Sequence, residues 1–251
     1  MSMFELNQRI SLAGHYIGAN DPVYIIAEMS ANHLQDYNRA IEIIHAAKEA
    51  GVDAIKLQTY TADTITIDSD KSYFQITGGT IWDGTTLHKL YEEAYTPWDW
   101  QPGLCEEAKK LGLDCFSSPF DSTAVDFMEQ MNMPAYKIAS YEITDIPLIR
   151  QCASKKKPMI IATGVARESD IRLAIEACLA EGNKDVILLK CTSAYPTPYE
   201  DVNLNMIPTL AQEYGCVMGL SDHTMGSAVA VASVALGARM IEKHLTLKRS
   251  E

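Results

Sequence analysis

Two short stretches near the end of this 251-residue chain carry residues suited to chemistry: Gly219-Leu220-Ser221-Asp222-His223 and Ile241-Glu242-Lys243-His244-Leu245. Each is an apolar run that ends in ionisable groups. As strands, their alternation sets Ser221 with His223 on one face, and Glu242 with His244 on one face. Two imidazoles and a carboxylate at the ends of neighbouring strands can hold a divalent cation. Either histidine taken alone is better read as a satisfied core position. The pair gains weight because the rest of the chain repeats the layout, an apolar strand followed by polar chemistry at its C-terminal end.

The elements that must position these groups alternate. Apolar runs at 24–28, 54–59, 114–118, 135–140, 158–163, 186–192, 217–222 and 240–246 read as strands. Helical spacing falls between them at 38–50, 101–110, 123–131, 146–154, 168–180, 204–214 and 226–236. Residues 61–97 read as one long irregular segment. Unbroken alternation implies a parallel sheet, and eight strands imply closure into an α/β, (β/α)8 TIM barrel over residues 1–251. An open doubly wound sheet is the other candidate, but Ala27-Glu28-Met29-Ser30-Ala31-Asn32-His33 holds no glycine-rich dinucleotide turn. The sequence ends five residues after the eighth strand, so the eighth outer helix is expected to be missing.

Composition narrows the partners. A net charge of −12 argues against nucleic acid or an anionic membrane surface. The six cysteines are scattered with no CxxC pair, which predicts reduced thiols and a cytoplasmic location. The first fifteen residues lack the apolar core of a signal peptide, and no apolar run is long enough to span a bilayer.

In such a barrel the site forms at the C-terminal strand ends. Those ends offer Glu28; Lys56 and Gln58; Ser117 and Ser118; Lys137 and Ser140; Thr163 and Gly164; Lys190, Thr192 and Ser193; then the two histidine stretches. Lysine is seldom buried unpaired, so lysines within three apolar strands should face an anion or a local carboxylate such as Glu28 or Glu242. Hydroxyls and the Thr163-Gly164 turn suit a phosphate. Ser117-Ser118-Pro119 also fits an ordinary helix cap. Tyr195-Pro196-Thr197-Pro198 is a stiff loop that holds Tyr195 near the mouth. Lys155-Lys156-Lys157 reads as a solvated face. Phosphate, carboxylate and a polarised carbonyl together suggest phosphoenolpyruvate condensing with an aldehyde.

Eight stretches carry a resemblance. IIAEMSANH (25–33), AIKLQTY (54–60), FSSPFD (116–121), AYKIAS (135–140), IATG (161–164), KCTSAYPTP (190–198), GLSDHT (219–224) and IEKHLTL (241–247) resemble the sialic acid synthase family over nearly the whole chain. The resemblance implies a metal-dependent condensation of phosphoenolpyruvate with an open-chain amino sugar, releasing phosphate and forming a nonulosonic acid. It implies His223 and His244 as ligands of Mn or Mg, with Glu242 acting through a bound water. Lys56 and Lys137 would hold the carboxylate and phosphate, helped by Ser118, Ser140, Thr163 and Ser193. Gln58 and Tyr195 would face the sugar, with Glu28 as the proton-transfer group. The stretch 78–100 and Ser193 resemble the branch of the family that uses 2,4-diacetamido-2,4,6-trideoxy-altrose; N-acetylneuraminate and legionaminate synthesis are the related alternatives. Family members are homodimers that continue into an antifreeze-like C-terminal domain, whose arginine reaches the partner's sugar. Neither that domain nor the eighth helix is in this sequence, so an open sugar site is expected. Two other readings stay open: a Schiff-base lyase using Lys137 or Lys190, and a fragment that binds phosphoenolpyruvate without turnover.

Overall fold

The structure is a computed structural model that describes residues 2–79 and 82–249; Thr80 and Ile81 of the 78–100 stretch lie outside them. A hairpin comes first, β1 (Arg9–Leu12) and β2 (His15–Gly18), paired antiparallel. Its two-residue turn needs positive φ at both positions, supplied by Ala13 at 48° and Gly14 at 93°. Leu6, Ile10, Leu12 and Ile17 are buried in the main core together with Tyr24 and Ile26. The hairpin was not foreseen: its apolar alternation is only four residues long in each strand.

The barrel strands are β3 (Tyr24–Glu28), β4 (Ala54–Thr59), β5 (Asp114–Pro119), β6 (Tyr136–Ile138), β7 (Met159–Ala162), β8 (Val186–Cys191), β9 (Val217–Asp222) and β10 (Met240–His244). All pair in parallel, and β10 closes on β3. The expected eight-stranded barrel is therefore present. Strand β6 is shorter than the sequence suggests, because Ser140–Thr144 turns into a 3-10 helix.

The helices are α1 (Tyr37–Glu49), α2 (Ala62–Ile65), α3 (Leu87–Ala94), α4 (Gln101–Lys110), α5 (Ser122–Gln130), α6 (Ile146–Ser154), α7 (Glu168–Ala180), α8 (Met206–Tyr214) and α9 (Ala228–Ala235). Asp36, Asp121 and Asp145 cap α1, α5 and α6 by accepting first-turn backbone N–H groups. The segment 61–97 is not structureless. It holds α2, α3 and a bridge between Gln75 and Thr86. Tyr60 anchors it, with its ring 5.7 Å from Tyr91 and 5.3 Å from Phe120. Such short, polar elements fall below the length at which hydrophobic period is readable. Among the described residues no helix follows β10, and none is long and apolar enough to cross a membrane.

Gly219 marks a close approach of strands in the barrel wall. A Cβ there would collide with the Met240 carbonyl oxygen and Leu189 Cδ2. Gly219→Ala is expected to destabilise the fold by about 1–3 kcal/mol through overpacking, read from urea unfolding midpoints at unchanged m-value.

Candidate active site

Strand alternation sends Glu28, Lys56, Gln58, Ser118, Lys137, Cys191, Ser221 and Glu242 into one cleft at the C-terminal end of the barrel. Register sets the first contacts, with Glu28 beside Lys56 across β3 and β4, and His244 beside Glu28 across β10 and β3. Glu28 and Lys56 are in ion-pair contact. Lys56 Nζ also lies 4.0 Å from Glu242 Oε2 and donates to Ser118 Oγ at 3.3 Å. Lys137 Nζ lies 3.6 Å from Glu242 Oε1 and donates to the Ile138 carbonyl at 3.3 Å. Ser221 Oγ donates to Glu242 Oε1 at 3.3 Å. Two carboxylates and two lysines thus share one buried floor, each less than 7% exposed.

The environment drives the two carboxylates apart. Burial raises Glu28 to about 7, Lys56 opposes this, and Glu242 adds to it. Burial also pushes Glu242 up, but Lys137 and Lys56 outweigh it and hold Glu242 below its ordinary value. Burial disfavours the Lys56 ammonium, yet Glu242 and Glu28 leave its pKa raised. With Glu242 charged and Glu28 near neutrality, the floor can accept an anion on its lysines while Glu28 exchanges a proton.

Above the floor lie His223 and His244, ring centroids 5.4 Å apart, with Tyr195 at 4.1 Å from His223 and 5.9 Å from His244. His223 Nδ1–H donates to the Thr192 carbonyl at 3.0 Å, which leaves the Nε2 lone pair free. Burial disfavours charge on His223, but Cys191, the Thr192 carbonyl and Glu242 outweigh it and raise its pKa. Burial first, then the His223 and Lys56 charges, lower the His244 pKa to about 4, although the residue as a whole is exposed at the mouth. At pH 7 its imidazole is therefore neutral, with a ring nitrogen lone pair that could meet a metal. Glu242 Oε2 is buried without a hydrogen-bond partner. These features fit a divalent cation. Among the described residues no three His, Cys, Asp or Glu side chains form a cage, so the two imidazoles would share the ion with water or substrate oxygens.

A second cradle borders the cleft. Gly164 N–H donates to Ser140 Oγ at 3.0 Å. A Cβ on Gly164 would strike Ser193 Oγ, and would lie 2.7 Å from Ser140 Oγ and 3.0 Å from Cys191 Sγ. Ser193 Oγ is itself buried without a hydrogen-bond partner. Hydroxyls around an open glycine suit the oxygens of a phosphate.

Two expected participants point elsewhere. Thr163 Oγ1 donates to the Leu189 carbonyl at 3.1 Å, and Ala162 takes the place on the cleft wall. Lys190 bonds Thr192 Oγ1 outside the cleft, since Cys191 holds the inward position on β8. Burial lowers the Lys190 pKa there. Lys157 pairs with Glu129 at 2.5 Å instead of standing free in solvent. Cys191 was missed as a wall residue; its period-two relation to Ser193 was the available signal.

The NeuB family matches residues 43–251, four-fifths of the chain and every strand from β4 to β10. The chain belongs to the NeuB family. This is the sialic acid synthase family that the motifs resemble. The pseudaminic acid synthase of Helicobacter pylori is 48% identical over 229 residues, covering 91% of this chain and 67% of that protein. The N,N'-diacetyllegionaminic acid synthase of Legionella pneumophila is 38% identical over 238 residues, covering 93% and 66%. The crystal structure of N-acetylneuraminic acid synthetase from Leptospira borgpetersenii, in complex with citrate, superposes with a TM-score of 0.85 at 32% identity. It covers 98% of this chain and 81% of that one. The chain spans about two thirds of the length of the curated NeuB relatives it matches.

The Glu28 pKa has a measurable consequence. Between about pH 4.5 and 7 the folded state keeps a proton that the unfolded chain releases, so wild-type stability falls through Glu28 as pH rises across that window. Glu28→Gln lacks that proton. Its stability relative to wild type should climb by roughly 1–3 kcal/mol from pH 5 to pH 7.5 and then level off, measured by urea unfolding at each pH. A difference that stays flat with pH would refute the assignment.

Proposed function

We propose that this chain condenses phosphoenolpyruvate with 2,4-diacetamido-2,4,6-trideoxy-altrose, releasing phosphate and forming pseudaminic acid. The observation that carries the reading is the buried Glu28–Lys56–Lys137–Glu242 floor beneath two imidazoles. A floor with one carboxylate near neutrality and two lysines suits a multiply charged anion. Lys56 and Lys137 hold the phosphoenolpyruvate carboxylate and phosphate, with Ser118 beside Lys56 and the Ser140–Gly164–Ser193 cradle at the phosphate. The Thr163 side chain is engaged with Leu189, so only the backbone of its turn serves the phosphate.

Gln58 and Tyr195 face the sugar. Tyr195 is 64% exposed, which leaves its ring free to cover a ligand at the mouth. His223 and His244 hold Mn or Mg, with Glu242 reaching the ion through a water. When bound, that ion supplies Lewis-acid polarisation of the sugar aldehyde. Glu28 moves the proton that the new hydroxyl gains, while one water adds at C2 of phosphoenolpyruvate as the C2–O bond to phosphate breaks and inorganic phosphate leaves. Residues 1–251 act as one catalytic barrel domain, in the cytoplasm, where six free thiols are maintained.

The sugar assignment rests on the 48% identity to a protein named pseudaminic acid synthase, against 38% for the legionaminic acid synthase. Phosphate release from phosphoenolpyruvate tests it, with the altrose sugar and N-acetylmannosamine in parallel tubes containing Mn. Release with the altrose sugar only, abolished by a chelator, is the expected result; release with N-acetylmannosamine alone overturns the sugar assignment. His223→Ala and His244→Ala should each lower the rate at least about 100-fold, near 2.7 kcal/mol of barrier. Gly164→Ala fills the phosphate cradle and should weaken phosphoenolpyruvate binding about tenfold by calorimetry, with the unfolding midpoint showing that the fold persists.

A further inference from the structure

Cys105 and Cys115 stand outside the cleft and have no part in the chemistry assigned to it. Cys105 lies mid-way along α4, and Cys115 is the second residue of β5. Helix α4 runs back along the strand that follows it, and the turn 111–113 joins them. The two sulfur atoms are 2.7 Å apart. Both residues are half-buried, whereas Cys152, Cys178, Cys191 and Cys216 are buried. Among the described residues no other two thiols are in hydrogen-bonding contact. This pair alone combines mutual contact with access for a small reagent.

We propose that Cys105 and Cys115 form a reversible modification site, closed to an intramolecular disulfide by a hydroperoxide and reopened by a thiol reductant. The two thiols are not equivalent. The hydrogen bond to Cys105, then burial, hold the Cys115 thiol well above its ordinary pKa. The raised Cys115 thiol resists ionisation, so Cys105 is assigned the attacking role and Cys115 the resolving one. The Cys105 thiolate attacks a peroxide oxygen. The O–O bond breaks, Cys105 becomes a sulfenic acid, and the departing hydroxide takes a proton to leave as water. Cys115 sulfur then attacks Cys105 sulfur. The S–S bond forms, the S–O bond breaks, and the sulfenic oxygen leaves with the Cys115 proton as a second water. Two thiols lose two electrons and one peroxide gains them.

The link would tie α4 to the lower half of β5, where Cys115 registers with Ile55. Ser118, the β5 residue on the cleft wall, sits three residues further along the strand. The cross-link therefore acts on the scaffold and leaves the floor of the site in place.

The test is an intact mass. The folded chain is treated with hydrogen peroxide, denatured and alkylated with iodoacetamide. Of the six cysteines, all should be labelled before peroxide, and two fewer afterwards. A peptide joining Cys105 to Cys115, split by dithiothreitol, should account for the loss. Cys105→Ser and Cys115→Ser should each carry one label fewer than untreated wild type, with and without peroxide. Full labelling after peroxide, a cross-link between other cysteines, or sulfinic acid at Cys105 without a link would overturn the proposal. The wild-type peptide map decides the matter even where a serine variant fails to fold.

Discussion

Four ionisable side chains share a buried floor, and the remainder of the fold exists on terms they set. Moving an ammonium or a carboxylate out of water costs several kcal/mol per group, recovered only with close and well-aligned partners. Lys56 meets this by touching Glu28, Ser118 and Glu242 at once. Lys137 meets it through Glu242 and a backbone carbonyl. Each lysine comes from a different strand from its carboxylate partner. Strands β3, β4, β6 and β10 must therefore hold their positions together, and only a closed barrel does that without a free edge.

The scaffold supplies that fixity from outside the cleft. The N-terminal hairpin adds Ile10, Leu12 and Ile17 to the same core as Tyr24 and Ile26 of β3. On the other side, a buried polar chain ties β4, β5 and α4 behind the cleft wall. Thr59 Oγ1 donates to Gln101 Oε1 at 2.8 Å and lies 2.6 Å from Ser117 Oγ, and Gln101 Nε2 donates to the Gln58 carbonyl at 3.3 Å. Thr59 and Ser117 face away from the cleft, while their neighbours Gln58 and Ser118 face into it. The period of two thus uses one face for support and the other for ligand.

The same electrostatics separates roles among like groups. Glu28 and Glu242 are both buried carboxyls, yet one is raised and the other lowered, because two lysines converge on Glu242 while burial dominates at Glu28. His223 and His244 divide similarly. The first is oriented by the Thr192 carbonyl; burial, helped by the His223 and Lys56 charges, keeps the second neutral. These differences of environment turn a symmetrical set of residue types into a site with directed chemistry.

Strand count, helix alternation and the inward-facing Glu28, Lys56, Lys137, His223 and His244 were legible in the sequence. Period and residue type are local properties, and motifs at strand ends report on the cleft directly. The hairpin and helices α2 and α3 were not, because elements of four to eight residues carry too little periodic signal. The outward turn of Thr163 and Lys190 also waited on the fold: which face of a strand is inward depends on register with its neighbours, and a shift of one residue exchanges the two faces. The sequence by itself determined an eight-stranded α/β barrel with lysines, carboxylates and histidines at its strand ends. Only the tertiary structure decided which of them share a floor, because distances between groups on β3, β4, β6 and β10 are set by closure and are not encoded in any one strand.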